Sequence, residues 1–263
     1  MAYIQDEYYF PDSIENEIKW FGLYGAKGEH RGPKKKKTPE AIKRQNQWQR
    51  QKNMRRAIKN NFVKGDYWCT YLYPKGTRKE LKDIQEDMRK YQRVLRKEYK
   101  KRGHPFKWVN RVEIGKLGGA HVHMLSNQIP GARMDMIMQD TWHTITGGRI
   151  NFEPFQGGAD DAENVGNYLT KALKDEQIEK CKELGLNPND YVKISRSRNL
   201  EKPEHIRKEY SHWTMKRVIE EQMPKPREGF YIVKESVRFC SNIYTGMTHL
   251  YYTEAKLEGG KSP

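Results

Sequence analysis

Apolar side chains recur every three to four positions in segment 78–102, a spacing that gives a helix one apolar stripe. The stripe consists of Leu81, Ile84, Met88, Tyr91, Val94 and Leu95. A second long helix is predicted from Thr38 to about Asn60, because threonine can cap a helix and Pro39 suits the first turn. Shorter helices are predicted at 133–143, 160–173 and 204–221.

Strands are predicted where aromatic and β-branched residues cluster between turn residues. The first is YWCTYLY at 67–73. Residues 106–114 and 120–126 are predicted to be two strands joined by a tight turn at 116–119, where two glycines allow positive φ. Further strands are predicted at 149–155, 230–239 and 248–252.

These elements follow one another through short connections, an order that favours an antiparallel sheet. We therefore expect an α+β fold in which a central antiparallel β-sheet carries helices mainly on one face. Residues 1–38 are expected to form a basic N-terminal extension and residues 39–205 the main domain. Residues 206–263 are expected to add a helix and strands that complete or flank that domain.

The charge of the chain indicates its class of partner. Lysine and arginine number 50 against 34 aspartate and glutamate residues, a formal net charge of +16. The basic residues cluster, so a polyanion is expected, and nucleic acid fits better than a membrane. The expected DNA-binding residues are Lys34, Lys35, Lys36, Lys37, Arg196 and Arg198. Neither a run of about 18 apolar residues nor an apolar leader is present, so no membrane span or secretory signal is expected.

Two histidines, His121 and His123, occupy alternate positions of one predicted strand. Alternate side chains share a face and lie about 7 Å apart along the strand, so both imidazoles can converge on one ion. Glu113, on the preceding strand, can join them if its face matches. This set suits a divalent ion, and Mn²⁺ accepts imidazole more readily than Mg²⁺ does. The alternatives are a surface histidine pair and a Glu113 carboxylate paired with Arg111 or Lys116.

Tyr168 and Lys171 are three residues apart on the predicted helix 160–173 and therefore share a face. A phenol has a pKa of about 10 and is a poor nucleophile at neutral pH. A nearby metal ion and ammonium group can stabilise the negative charge that develops when the phenol attacks phosphorus. The alternative is a tyrosine packed on the sheet beside a solvated lysine.

In this order, the motifs resemble those of the HUH endonucleases, where U is any hydrophobic residue. Within them, the chain is similar to rolling-circle replication initiators such as the filamentous-phage gene II proteins and related phage and plasmid Rep proteins. The matching segments are YWCTYLYP at 67–74, EIGKLGGAHVHML at 113–125 and the YxxK sequence at 168–171. NNFVKGDYW at 60–68 and SRSRNLEKP at 195–203 are also similar, and the resemblance covers about residues 40–205.

The resemblance implies an antiparallel fold of the RRM or ferredoxin-like type and site-specific nicking of single-stranded or hairpin origin DNA. His121, His123 and Glu113 would hold Mn²⁺ or Mg²⁺. Tyr168 would form a 5′-phosphotyrosine and leave a free 3′-hydroxyl, and Lys171 would offset charge or orient the tyrosine. The expected partners are a host polymerase and helicase in the bacterial cytoplasm, and the protein is expected to be a monomer or a weak dimer.

Departures from the family pattern leave alternatives open. Asn164 stands where some relatives carry a second tyrosine, so a single-tyrosine enzyme is expected, and ending a cycle would need a second subunit or binding event. No Walker-type GxxxxGK(S/T) sequence is present, so a host partner is expected to unwind the DNA. A relaxase or transposase of the same chemistry and a catalytically silent DNA-binding regulator remain alternatives. A histidine-triad hydrolase needs HxHxH, whereas this chain has Leu125 at the last position.

Overall fold

The computed structural model describes residues 2–115 and 118–257. Lys116 and Leu117, which belong to the predicted turn 116–119, lie outside the described residues. The strands are β1 (Tyr3–Tyr9), β2 (Ser13–Trp20), β3 (Tyr67–Leu72), β4 (Trp108–Ile114), β5 (Ala120–Ser126), β6 (Arg149–Pro154), β7 (Ile194–Arg196), β8 (Glu204–Tyr210), β9 (Phe230–Ile232), β10 (Arg238–Asn242) and β11 (Met247–Lys256). The helices are α1 (Pro39–Asn61), α2 (Leu81–Lys101), α3 (Met134–Thr146), α4 (Gly158–Thr170), α5 (Asp175–Glu183) and α6 (Lys216–Glu221).

The chain forms two compact units, and the predicted α+β class is confirmed. One unit comprises residues 46–202, and the other combines residues 1–45 with residues 203–263. The first unit is built on a five-stranded antiparallel sheet in the order β6-β3-β5-β4-β7. Among the described residues, no helix is both long enough and apolar enough to cross a membrane.

Helices cover both faces of this five-stranded sheet, whereas the sequence predicts them mainly on one face. On one face lie α2 and α3. Most of the predicted apolar stripe of α2 is buried there against the sheet and α3, although Val94 remains 39% exposed. On the other face, α1 and α4 pack against Val109 and Leu125. Met54 and Ile58 of α1, and Phe62 directly after it, make this contact. They are four residues apart and stand among basic residues, so the apolar pattern is hard to see in the sequence.

Trp142 packs α3 onto the sheet. Its side chain is fully buried, its indole nitrogen donates to the carbonyl oxygen of Leu72 at 3.1 Å, and its ring meets Tyr71 edge-on. We expect Trp142→Ala to lower the free energy of unfolding by about 3–5 kcal/mol. Met136→Ala, at an exposed position of the same helix, should change it by less than about 0.5 kcal/mol. Thermal unfolding of both variants checks this, and equal melting temperatures would contradict it.

The second unit contains a six-stranded antiparallel sheet in the order β10-β11-β2-β1-β8, with β9 paired to β11. Residues 3–20, placed in the predicted extension 1–38, form the hairpin of β1 and β2. Asp6 shows why the pattern of apolar and polar residues does not predict these strands. It is charged yet only 4% exposed, because it pairs with Lys19 at 3.1 Å and Arg207 at 2.7 Å. Burial raises the pKa of Asp6, but the hydrogen bonds from its basic partners outweigh burial and hold the pKa well below its usual range.

Residues 204–221 contain β8 and the short helix α6, and the prediction of a single helix there is wrong. The sequence of β8, EHIRKEY, has no apolar alternation. Pairing of the whole strand with β1 sets its conformation, because strand formation depends on neighbours more than on local propensity. The predicted strand 230–239 is likewise divided into β9 and β10.

Candidate active site

Three predicted metal ligands lie together on one face of the five-stranded sheet. His121 and His123 occupy alternate positions of β5, and Glu113 on β4 lies directly opposite His121. The Glu113 Oε2 atom is 3.2 Å from His123 Nε2 and 3.6 Å from His121 Nε2. All three ligand atoms lie within 4.8 Å of one another, so the group could hold a divalent metal ion.

Glu113 is an ionised carboxylate at the centre of this group. Its side chain is buried, and Lys171 Nζ lies 2.9 Å from its second oxygen, Oε1. Burial raises the pKa of Glu113, but the hydrogen bonds from both histidines, Lys171 and Tyr168 outweigh burial and hold the pKa far below its usual range. The carboxylate therefore has the charge that a metal ligand requires.

His123 is held as a neutral imidazole. Burial lowers its pKa, and the neighbouring His121 and Lys171 lower it further against the opposing effect of Glu113. Its Nδ1 atom lies 3.2 Å from Thr70 Oγ1, on the neighbouring strand β3. If Nε2 were to bind a cation, Nδ1 would carry the proton and could donate a hydrogen bond to the Thr70 hydroxyl, which would fix both the tautomer and the ring orientation.

Thr70→Val is expected to weaken Mn²⁺ binding by about tenfold, because it removes the hydrogen bond that orients His123 while keeping the side-chain volume. Isothermal titration with Mn²⁺ measures the effect. Thr144→Val is a matched control, since the Thr144 hydroxyl donates to a backbone carbonyl on α3. If both variants bind Mn²⁺ as the wild type does, Thr70 has no role in orienting the ligand.

Tyr168 projects from α4 into the same group. Its hydroxyl donates to Glu113 Oε2 at 2.9 Å and lies 2.8 Å from His123 Nε2. Burial raises the pKa of Tyr168 well above its usual range, the charge of Glu113 raises it further, and the charge of Arg111 opposes both. At neutral pH the hydroxyl is protonated, so added positive charge is needed before it can act as a nucleophile.

Lys171 lies just beyond the end of α4, because the helix stops at Thr170 rather than at the predicted residue 173. Its ammonium nitrogen is 3.7 Å from the centroid of the Tyr168 ring. The same nitrogen is paired with the Glu113 carboxylate. The charge of Lys171 therefore lies between the phenol ring and the carboxylate.

The guanidinium of Arg111 makes its hydrogen bonds to backbone carbonyl groups and not to Glu113, so it does not form the ion pair that was the alternative to metal binding. Arg111 is buried on β4 opposite His123, and its guanidinium donates to backbone carbonyls at the end of α4. Sequence reasoning missed this contact and that of Thr70. Thr70 and Arg111 lie on the same face of the sheet as the two histidines, and this was the one signal that could have indicated their roles. Recognising it requires the register of β3, β4 and β5, which the sequence alone does not give.

The predicted DNA-binding residues are divided between the two compact units. Arg196 is exposed on β7 and Arg198 is exposed in the following loop, both within the unit of residues 46–202. The lysine run Lys34–Lys37 is exposed in the other unit, where the Lys37 ammonium donates to Gln45 Oε1 at 2.7 Å.

Comparison with known proteins identifies the family. A family model that describes replication-associated proteins of the ORF2 and gene II protein type matches residues 66–202, more than half of the chain. The chain belongs to this family. The matched segment contains the whole group around Glu113, and the resemblance to gene II-like replication initiators is confirmed. No curated protein and no solved structure matches the chain.

Proposed function

We propose that the protein nicks single-stranded DNA at a specific site and rejoins it through a 5′-phosphotyrosine, and thereby starts rolling-circle replication. The observation that carries the proposal is the contact of the Tyr168 hydroxyl with two candidate metal ligands, at 2.9 Å from Glu113 and 2.8 Å from His123. A nucleophile and a cation site in one position are what phosphodiester transesterification requires. Membership of a replication-associated family supports DNA as the substrate.

The residues present fit a divalent cation. Glu113 supplies an ionised carboxylate oxygen, and His121 and His123 supply imidazole nitrogens within 4.8 Å of it. This mixed nitrogen and oxygen set favours Mn²⁺, with Mg²⁺ as the second candidate. Bound there, the ion would stabilise negative charge on the scissile phosphate as a Lewis acid.

In the proposed reaction, Tyr168 Oη attacks the phosphorus of the scissile phosphodiester. The Oη–P bond forms, the bond between phosphorus and O3′ breaks, and the phenol loses a proton while the leaving 3′ oxygen gains one. Lys171, next to both the Tyr168 ring and Glu113, supplies positive charge as the phenolate forms. No bond is hydrolysed, so attack of a 3′-hydroxyl on the phosphotyrosine rejoins the DNA.

The exposed basic residues are proposed to bind the DNA backbone, Arg196 and Arg198 beside β7 and Lys34–Lys37 in the other unit. The free 3′-hydroxyl would prime a host polymerase in the bacterial cytoplasm, and a host helicase would open the duplex. Tyr168 is the one tyrosine of its helix, so the second transfer would use a second subunit or a second binding event. A relaxase or transposase would use the same chemistry on a different DNA.

A cleavage assay tests the proposal. The protein is mixed with Mn²⁺ and single-stranded oligonucleotides that tile its own replicon, and the products are separated on a denaturing gel. We expect a protein–DNA adduct that survives boiling, is lost with EDTA and forms with one tile only. If every tile binds in a salt-sensitive way and none forms an adduct, the protein is a catalytically silent DNA-binding regulator.

A further inference from the structure

The C-terminal end of α4, the helix that carries Tyr168, is capped by side chains from other elements. A helix leaves its last carbonyl groups without helical partners, and a glycine cap commonly satisfies them. In α4 the C-cap residue is Lys171, and no basic residue stands in its last turn. Arg111 Nη1 donates to the carbonyl oxygens of Leu169 at 3.1 Å and Lys171 at 2.5 Å, and Gln47 Nε2 donates to that of Thr170 at 2.5 Å.

Arg111 is the central member of this cap. Its side chain is 1% exposed, and its Nε atom also donates to the carbonyl oxygen of Tyr191 at 3.1 Å. It stands two residues before Glu113 on β4. One guanidinium group therefore joins the strand that carries a candidate metal ligand to the end of the helix that carries Tyr168.

Arg111 also places a positive charge close to Tyr168. The hydrogen-bond partners of Nη1 are neutral carbonyl groups at the negative end of α4, and the partner of Nε is the neutral carbonyl group of Tyr191. Such groups stabilise a cation without cancelling its charge. The third nitrogen, Nη2, is buried and has no hydrogen-bond partner within the described part of the chain. A buried positive charge is thus fixed beside the Tyr168 site, where negative charge develops during the proposed attack.

We propose that Arg111 is a positioning residue, which holds the carbonyl groups of Leu169 and Lys171 so that Tyr168 and Lys171 face Glu113. The contact itself follows from the geometry, and its catalytic consequence rests on the proposed function. A displacement of about 1 Å between a nucleophile and its target can cost about 10²-fold in rate. Neither the HUH nor the YxxK motif includes this arginine.

Three variants test the inference. Arg111→Met removes the guanidinium and keeps an apolar chain of similar length, and Arg111→Lys keeps the charge with fewer donors. Arg50→Met is the matched control, because exposed Arg50 donates to the carbonyl oxygen of Val192 at 3.1 Å and makes no hydrogen bond to α4 among those described. Melting temperatures are recorded for all three, and Arg111→Lys replaces Arg111→Met in each measurement if the methionine variant is unfolded.

The first measurement is hydrogen exchange of the full-length protein, without metal or DNA, followed by mass spectrometry. In Arg111→Met the amides of residues 168–173 should exchange faster than in the wild type, and in Arg50→Met they should not. The second is the single-turnover rate of adduct formation at saturating DNA, compared with the Kd for the same DNA in EDTA. Arg111→Met should slow adduct formation by about 10²-fold with little change in Kd, and Arg111→Lys should recover part of the rate.

Unchanged exchange at residues 168–173 overturns the inference. Faster exchange with a wild-type rate of adduct formation also overturns it, because Arg111 would then stabilise the helix end without positioning Tyr168. A wild-type protein that forms no adduct contradicts the proposed function instead, and the exchange result then decides whether Arg111 holds the end of α4.

Discussion

Tyr168→Phe is expected to reduce covalent adduct formation by on the order of 10⁴-fold or more, because it removes the attacking oxygen. The affinity for single-stranded DNA should remain close to that of the wild type. The phenylalanine ring keeps the packing against Trp68 and the contact with Lys171, so the fold is preserved. Denaturing gels measure the adduct, and fluorescence anisotropy in EDTA measures binding.

Tyr67→Phe is the matched control for this experiment. Tyr67 packs on the α2 and α3 side of the same sheet, opposite the face of Tyr168, so the loss of its hydroxyl should leave adduct formation intact. An adduct that persists in Tyr168→Phe would show that another group is the nucleophile. Loss of DNA binding in that variant would show that its defect is not confined to chemistry.

Glu113→Gln is expected to weaken Mn²⁺ binding by at least about 100-fold, more than the loss of a group that only orients a ligand. The amide has no negative charge to offer a cation, and it leaves Lys171 without its ion-pair partner. Adduct formation at a fixed low Mn²⁺ concentration should fall in parallel and recover in part at high Mn²⁺. Isothermal titration and the cleavage assay measure the two effects.

The control for that variant is Glu163→Gln, on the same helix as Tyr168 and about half exposed. This change removes one negative charge without touching the candidate ligands, so Mn²⁺ affinity should be unchanged. If Glu113→Gln binds Mn²⁺ as tightly as the wild type, the cation does not bind at this group.

The candidate site could be predicted from sequence where its residues follow local periodicity. His121 and His123 share a face because a strand has a period of two, and Glu113 joins them because one hairpin aligns β4 with β5. Thr70 and Arg111 could not be found in this way. Their partners are a histidine on a neighbouring strand and the carbonyls of a helix end, which only the assembled fold defines.

Three strands of the second sheet, β1, β2 and β8, were not predicted, for a different physical reason, whereas β11 was predicted at 248–252. These three strands carry charged residues that form ion pairs across the sheet, so polar positions do not mark its solvent-facing side. Glu7 on β1 is 1% exposed and contacts Lys208 at 3.1 Å and Arg227 at 2.5 Å, both about two hundred residues away along the chain. No local window contains both members of such a pair, and apolar alternation therefore gives no signal.

Mapping the covalent bond tests most directly whether Tyr168 is the nucleophile. The wild-type adduct is treated with nuclease to leave a short 5′-phosphate-linked remnant, digested with trypsin and analysed by mass spectrometry. Cleavage after Arg149 and Lys171 releases residues 150–171, in which Tyr168 is the only tyrosine. We expect the nucleotide mass on this peptide, with fragment ions that place it on Tyr168. A remnant on any other peptide would show that Tyr168 is not the nucleophile.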